Sequence, residues 1–233
     1  MKKIIVKAME QLRLVRRLLI VSYALIILVF VVIGVLSWVV PNVRILDLIG
    51  DMAATGHLPI YTGFISQIGL FLWSATVAVC FVTVLVLIKR GSAPEGSLQF
   101  LSFAGFLTSY LLVDDAFMVH DELFPAIFGS IGENVLYFIL MILILTFLYF
   151  NRKEIFSHDY SLLFLALILF GFSMFFDMIP FRFYTNFYYL LRIEPLFEDG
   201  AKFMAILTWL FFFGRYSIQL LSCFPKQKEI TVS

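Results

Sequence analysis

Residues 63–88 read GFISQIGLFLWSATVAVCFVTVLVLI, twenty-six positions without one charged side chain. An α-helix rises about 1.5 Å per residue, so about 20 apolar residues cross the roughly 30 Å hydrocarbon core of a bilayer. Working outward from this run, five more segments have the same character: about 18–40, 98–123, 134–150, 162–179 and 200–221. The pattern predicts an all-α integral membrane protein, a bundle of six transmembrane helices forming a single domain over residues 1–233.

Composition agrees. Of the 233 residues 62% are hydrophobic and 14% charged, with 28 Phe and a mean hydropathy of +0.99. An ordinary soluble domain is about 45–50% apolar and about 25% charged. These values exclude a soluble globular domain, a disordered chain and a disulfide scaffold. No polar stretch is long enough for a large extramembrane domain. A net charge of +1 supplies no basic field, so nucleic acid is not an expected partner. Cys80 and Cys223 form neither a CxxC nor a metal-ligand spacing, and read as small apolar residues.

Proline lacks an N–H and clashes with the preceding helical turn, so it marks boundaries. Pro41, Pro125, Pro180 and Pro225 follow span ends, Pro59 and Pro195 precede span starts, and Pro94 lies in a loop. The basic stretch before the first span resembles a signal peptide. Its apolar run is too long and lacks a small-x-small cleavage site, so a retained anchor is expected.

The charges sort by side. With the N-terminus inside, residues 1–17, 89–97, 151–161 and the tail from Arg215 share one face. That face holds roughly 13 Lys/Arg against roughly 5 Asp/Glu, and the other face has the reverse excess. Short loops keep Lys and Arg cytoplasmic, so both termini are expected in the cytoplasm, in a bacterial inner (plasma) membrane.

The acidic excess lies largely on the spans themselves. The third span ends LLVDDAFMVHDELFP over residues 111–125, placing Asp114 about 24 Å from its start. Asp177 lies about 22 Å into the fifth span, and the sixth opens with Glu198, Asp199 and Lys202. A charged side chain at a helix centre costs roughly 2.5–3.5 kcal/mol, so intramembrane carboxylates mark functional sites. On a continuous helix, Asp114 and Asp121 share one line and Asp115 and Glu122 its neighbour, within about 120°. His120 joins them only if the helix loosens near Pro125.

Adjacent carboxylates in low dielectric need protons or a cation. Lys202 can neutralise Glu198 or Asp199 at helical spacing. The remaining acids with one imidazole suit a divalent ion such as Zn, Mg, Mn, Fe or Ca. The expected ligands are Asp114, Asp115, His120, Asp177 and Asp199, with Asp121 or Glu198 as general base and Lys202 as charge stabiliser. The same residues also have plain readings. Asp121, Glu122 and Glu133 suit a wet loop, Glu198 and Asp199 a helix N-terminus, and His120 the interface.

Around this cluster, Phe181–Phe197, rich in aromatics, is expected to lie on the outer membrane surface as an amphipathic element, whose functional version would be a lid or lipid-entry lip, and His57 in the 42–61 loop is a further ligand candidate. HExxH, GxSxG, Walker and GxGxxG motifs are absent. The plan is similar to alkaline-ceramidase-like integral hydrolases, but their HxxxH signature and second intramembrane histidine are missing, so no residue or activity carries over.

The leading expectation is a metal-assisted hydrolase or transferase acting on a lipid or lipid-linked substrate. A cation or proton transporter or channel subunit is the second, held back by the few polar steps in the second and third spans. A structural or assembly subunit is the third. Membrane lipids are the expected partners, beside a second copy or another membrane protein.

Overall fold

The computed structural model describes residues 20–21, 24, 27–28, 31–32, 34–36, 38–40, 56–59, 61–91, 93–158, 160–178 and 190–222, without the side chains of 121, 130, 132–134, 177–178 and 190–197. The described residues are mostly helical, with turns and short irregular stretches such as Leu58–Pro59 and Ala93–Pro94, and no strand among them. The chain divides into two compact units, residues 1–62 and 63–233. In the first, every described residue from Ile20 to Val39 is helical, and most are exposed and apolar. His57 belongs to this unit and sits in a turn with a positive φ of 53°. Asp47 and Asp51 lie outside the described residues.

The second unit contains seven α-helices among its described residues: α1 Phe64–Arg90, α2 Ser97–Phe117, α3 Phe124–Phe128, α4 Gly132–Phe150, α5 Arg152–Ser157, α6 Ser161–Met178 and α7 Leu190–Ser222. Among the described residues, three stretches are long and apolar enough to cross a membrane: Phe64–Arg90, Ser97–Phe117 and Glu198–Ser222. Val135–Phe150 and Ser161–Phe176 are shorter apolar helices.

α1 shows how an all-apolar run is divided between two environments. Its buried residues Gly69, Trp73, Thr76, Cys80, Thr83, Val84 and Leu87 recur every three to four positions and form one stripe. Phe71, Val82, Leu85 and Ile88 are exposed on the other side, an outer surface suited to lipid rather than water. Thr76 and Thr83 donate to the carbonyls of Leu72 and Val79, so their hydroxyls are satisfied inside the apolar stripe. The helix stops at Gly91, whose φ of 66° is one that L side chains avoid, and Lys89 and Arg90 occupy its negative end.

α7 packs against α6 and α1, and α1 against α2. Ala201 and Ala205 let the neighbouring backbones approach, and beyond them Trp209, Phe212, Phe213 and Tyr216 fill the centre. The Trp209 indole N–H donates to Thr108 Oγ1 at 3.0 Å, a buried link from α7 to α2. At the basic end, the Tyr216 hydroxyl donates to Glu154 on α5, and Arg90 Nη1 to the Leu221 carbonyl.

Two sequence expectations change. α7 starts at Leu190, so the last helix begins before the expected residue 200 and Pro195 sits inside it, while residues 181–189 of the expected surface element lie outside the described residues. There a proline forfeits a single backbone bond, close to an end where the first N–H groups lack partners in any case. α2 stops at Phe117, six residues short of the expected end at 123. Met118 takes a left-handed conformation (φ 48°, ψ 47°), and a π-helical turn, Val119–Leu123, follows. Pro125 then occupies the first turn of α3, where a missing N–H costs little.

Candidate functional site

Asp114 and Asp115 lie in the last turn of α2, about 25 Å along the helix from Ser97 at the basic end. Consecutive residues on a helix point about 100° apart, so the two carboxylates meet different neighbours. Asp114 is almost wholly buried. Its Oδ1 accepts the His120 backbone N–H at 3.0 Å, and its Oδ2 faces His120 Nδ1 at 2.8 Å. The left-handed Met118 turns the chain back on itself, which brings a residue six positions on to the carboxylate. His120 is buried too, its ring 5.3 Å from that of Tyr137 on α4.

Asp115 turns toward α1 and α7. Its Oδ1 is 2.7 Å from Lys202 Nζ, and its Oδ2 accepts the Trp73 indole N–H at 2.8 Å. The pair is partly sheltered: the Asp115 side chain is 13% exposed and that of Lys202 36%. Three helices, α1, α2 and α7, thus meet at one carboxylate.

Both pairs border one cavity of about 170 Å³. Its polar lining comes from Asp114, Asp115, His120, Glu198, Asp199 and Lys202, with the buried Ser173 of α6. Its apolar walls include Leu111, Leu140, Ile144 and Leu167, and Trp73, Tyr137, Phe170 and Trp209 supply aromatic rings. Trp73 and Phe170 lie parallel, their centroids 5.7 Å apart.

The structure thus brings together Asp114, Asp115, His120, Glu198, Asp199 and Lys202 among the residues singled out in the sequence. It does so differently from a continuous acidic helix face. That face ends at Phe117, and Glu122 beyond it is exposed. The side chains of Asp121, Glu133 and Asp177 lie outside the described residues, so the general-base role for Asp121 and the metal-ligand role for Asp177 fall there. Lys202 reaches Asp115 on another helix as well as lying at helical spacing from Glu198 and Asp199. Among the described residues, no group of three or more His, Cys, Asp or Glu side chains is arranged to hold a metal ion.

Trp73, Tyr137 and Ser173 belong to the site without having been singled out. Trp73 left a signal: an indole N–H in an apolar span needs an acceptor, and Asp115 is that acceptor. Tyr137 and Ser173 left none, since one aromatic or hydroxyl in an apolar helix is common.

With this arrangement the site can do acid–base chemistry. A carboxylate on Nδ1 fixes the ring and tautomer of an imidazole and supports its protonated form. The second carboxylate is held with an ammonium and an indole donor, which fixes its direction.

A family model described as "Domain of unknown function (DUF8692)" matches residues 18–216, a span containing the whole cavity lining, and the chain belongs to that family. No curated protein and no solved structure matches.

Proposed function

We propose that this member of the DUF8692 family is a multi-pass enzyme of the plasma membrane that carries out acid–base hydrolysis or group transfer on a lipid or lipid-linked substrate. Six spans with both termini in the cytoplasm would put the cavity at the outer leaflet, because Lys89, Arg90 and Arg215 lie toward the other ends of α1 and α7. The observation that carries the reading is the buried Asp114–His120 pair on the wall of a largely apolar cavity. The His120 imidazole, held by Asp114, takes a proton from a water or an acceptor hydroxyl as that oxygen attacks, then returns it to the leaving group. Asp114 stabilises the imidazolium formed in between. The Asp115–Lys202 pair holds the second carboxylate on the other side of the cavity wall, toward α1 and α7.

This route does not depend on a metal ion, although a metal-assisted form would draw on the same His120 and Asp114. The test is reconstitution of the purified chain in vesicles of a total bacterial lipid extract, followed by lipid mass spectrometry. Turnover should fall by about 10²-fold or more in His120→Ala and in Asp114→Asn, the usual scale of a lost general base. Unchanged turnover in both variants would overturn the reading. A stoichiometric divalent ion in the wild type, absent in Asp114→Asn, would replace it with the metal-assisted form.

A further inference from the structure

One polar side chain of the cavity has no part in the acid–base arrangement described above. Ser173 on α6 is only 6% exposed, and it lines the cavity on the same helix face as Leu167, Phe170 and Met174. A serine or threonine inside an apolar helix can turn its hydroxyl back to the carbonyl four residues earlier. Thr76, Thr83 and Ser109 do so, at 3.0, 2.7 and 2.8 Å. Ser173 does not, and no hydrogen bond joins its hydroxyl to any described residue. A buried hydroxyl without a partner costs about 1–3 kcal/mol, so its place on the cavity wall calls for a reason. We infer that Ser173 is the nucleophile of the site and that the substrate is a carboxylic ester of a lipid, an inference that rests on the acid–base reading above.

A serine hydroxyl attacks only when a base takes its proton, and that base is in turn oriented by a third group. His120 and Asp114, 2.8 Å apart, border the same cavity as Ser173 and fill those two roles. Ser173 Oγ forms a bond to the carbonyl carbon while its proton passes to His120 and the carbonyl π pair moves to oxygen. As that pair returns, the bond from carbon to the alcohol oxygen breaks, and the departing alcohol takes the proton from His120. A water, or an acceptor alcohol, then repeats the attack on the acyl-serine and restores the Ser173 hydroxyl, releasing the acid or the new ester. The walls suit this substrate. An ester is neutral and brings no desolvated charge into a largely apolar space. Its acyl chain would lie against Leu111, Leu140, Ile144 and Leu167. The volume of about 170 Å³ is close to that of an apolar cavity of about 150 Å³ that takes up benzene. It admits the ester and the first few carbons of one chain, and the rest of the lipid would stay in the bilayer.

The experiment treats the full chain in vesicles with an alkyl fluorophosphonate, which an activated serine attacks with loss of fluoride. Mass spectrometry of the intact protein and its peptides should show one adduct, on Ser173. The adduct should be absent in Ser173→Ala and should form about 10²-fold more slowly in His120→Ala, the scale of a lost general base. Ser173→Ala, which removes one oxygen and should melt like the wild type, should lower release of fatty acid from the lipid extract by about 10³-fold or more. A nucleophile and its base act as one unit, so Ser173→Ala/His120→Ala should be no worse than the poorer single variant. A serine with a merely structural role would instead give an independent, additional loss. No adduct on the wild type, an adduct only at another residue, or full turnover in Ser173→Ala would overturn the inference. The two readings fail differently. Full turnover in Ser173→Ala beside a large loss in His120→Ala leaves the acid–base reading standing, with water as the direct attacker. Unchanged turnover in both His120→Ala and Asp114→Asn overturns that reading itself.

Discussion

Lys202→Met removes the ammonium from Asp115 while keeping most of the side-chain volume. Breaking a buried ion pair from one side costs about 3–5 kcal/mol, because the surviving charge is left uncompensated. Two features reduce that here. Lys202 is 36% exposed, so its attraction for Asp115 is already screened from one side. Asp115 also keeps the Trp73 indole N–H at 2.8 Å, and a hydrogen bond to a charged group is worth about 1.5–3 kcal/mol. The expected loss is therefore about 2 kcal/mol. For a chain of this size about 1 kcal/mol moves Tm by roughly 2–4 °C, so the purified variant in detergent should melt about 4–8 °C lower. Adding Asp115→Asn removes the stranded charge and should recover about half of the loss. The double-mutant cycle should give a coupling of about 1–2 kcal/mol. A Lys202→Met protein melting within about 1 °C of wild type, or strictly additive effects in the double variant, would refute the claim that this pair ties α2 to α7.

Three further substitutions test the frame around the site. Thr108→Val leaves the buried Trp209 N–H without its acceptor and should cost about 1–3 kcal/mol in thermal unfolding, whereas Thr108→Ser should be milder. Tyr216→Phe removes the donor to Glu154 and should cost about 1.5–3 kcal/mol, with Glu154→Gln in the same background adding little. Gly105→Ala places a methyl 2.9 Å from Cζ of Phe81, whose ring is set edge-on to Phe106, and should cost about 1–3 kcal/mol unless Phe81→Leu makes room.

The apolar helices were legible because hydropathy and length are local properties. Nothing beyond residues 63–88 is needed to read α1 as a span, and its observed limits, Phe64–Arg90, fall within a turn of that reading. The cluster of Asp114, Asp115, Glu198, Asp199 and Lys202 was legible from depth alone, since each lies at a similar distance from the basic end. Partner choice was not. Lys202 is three and four residues from Asp199 and Glu198 in sequence, yet its 2.7 Å contact is with a carboxylate on another helix, a fact set by how α7 packs. The end of α2 was hidden for a different reason. A left-handed methionine has no sequence signature comparable to the glycines at positions 63 and 91, so the helix read on to residue 123. Pro195 was misplaced by applying an interior rule to the second turn of a helix.

The Asp114–Asp115 doublet explains why that left-handed residue belongs to the site. Two adjacent carboxylates on one helix point about 100° apart, and here they meet different partners. One of them, Asp115, faces α7 and receives Lys202 through tertiary packing. The other, Asp114, borders the same cavity, to which α4 contributes Tyr137 and Leu140 and no cationic group. Its donor comes from the segment directly after α2, and a continued α-helix would carry His120 some six residues, about 9 Å, further along the axis. The turn at Met118 cancels that advance and delivers the ring and the backbone N–H of His120 to one carboxylate together. A left-handed conformation at a non-glycine residue costs about 1–2 kcal/mol, of the same order as one hydrogen bond to a charged acceptor, and Asp114 receives two contacts in return. Met118→Gly should therefore preserve or raise stability while leaving the pair intact, and Met118→Val, whose β-branch resists a positive φ, should release His120 and take turnover with it. If Met118→Val keeps full turnover in the vesicle assay, the turn is incidental, and the imidazole reaches its place by some other constraint.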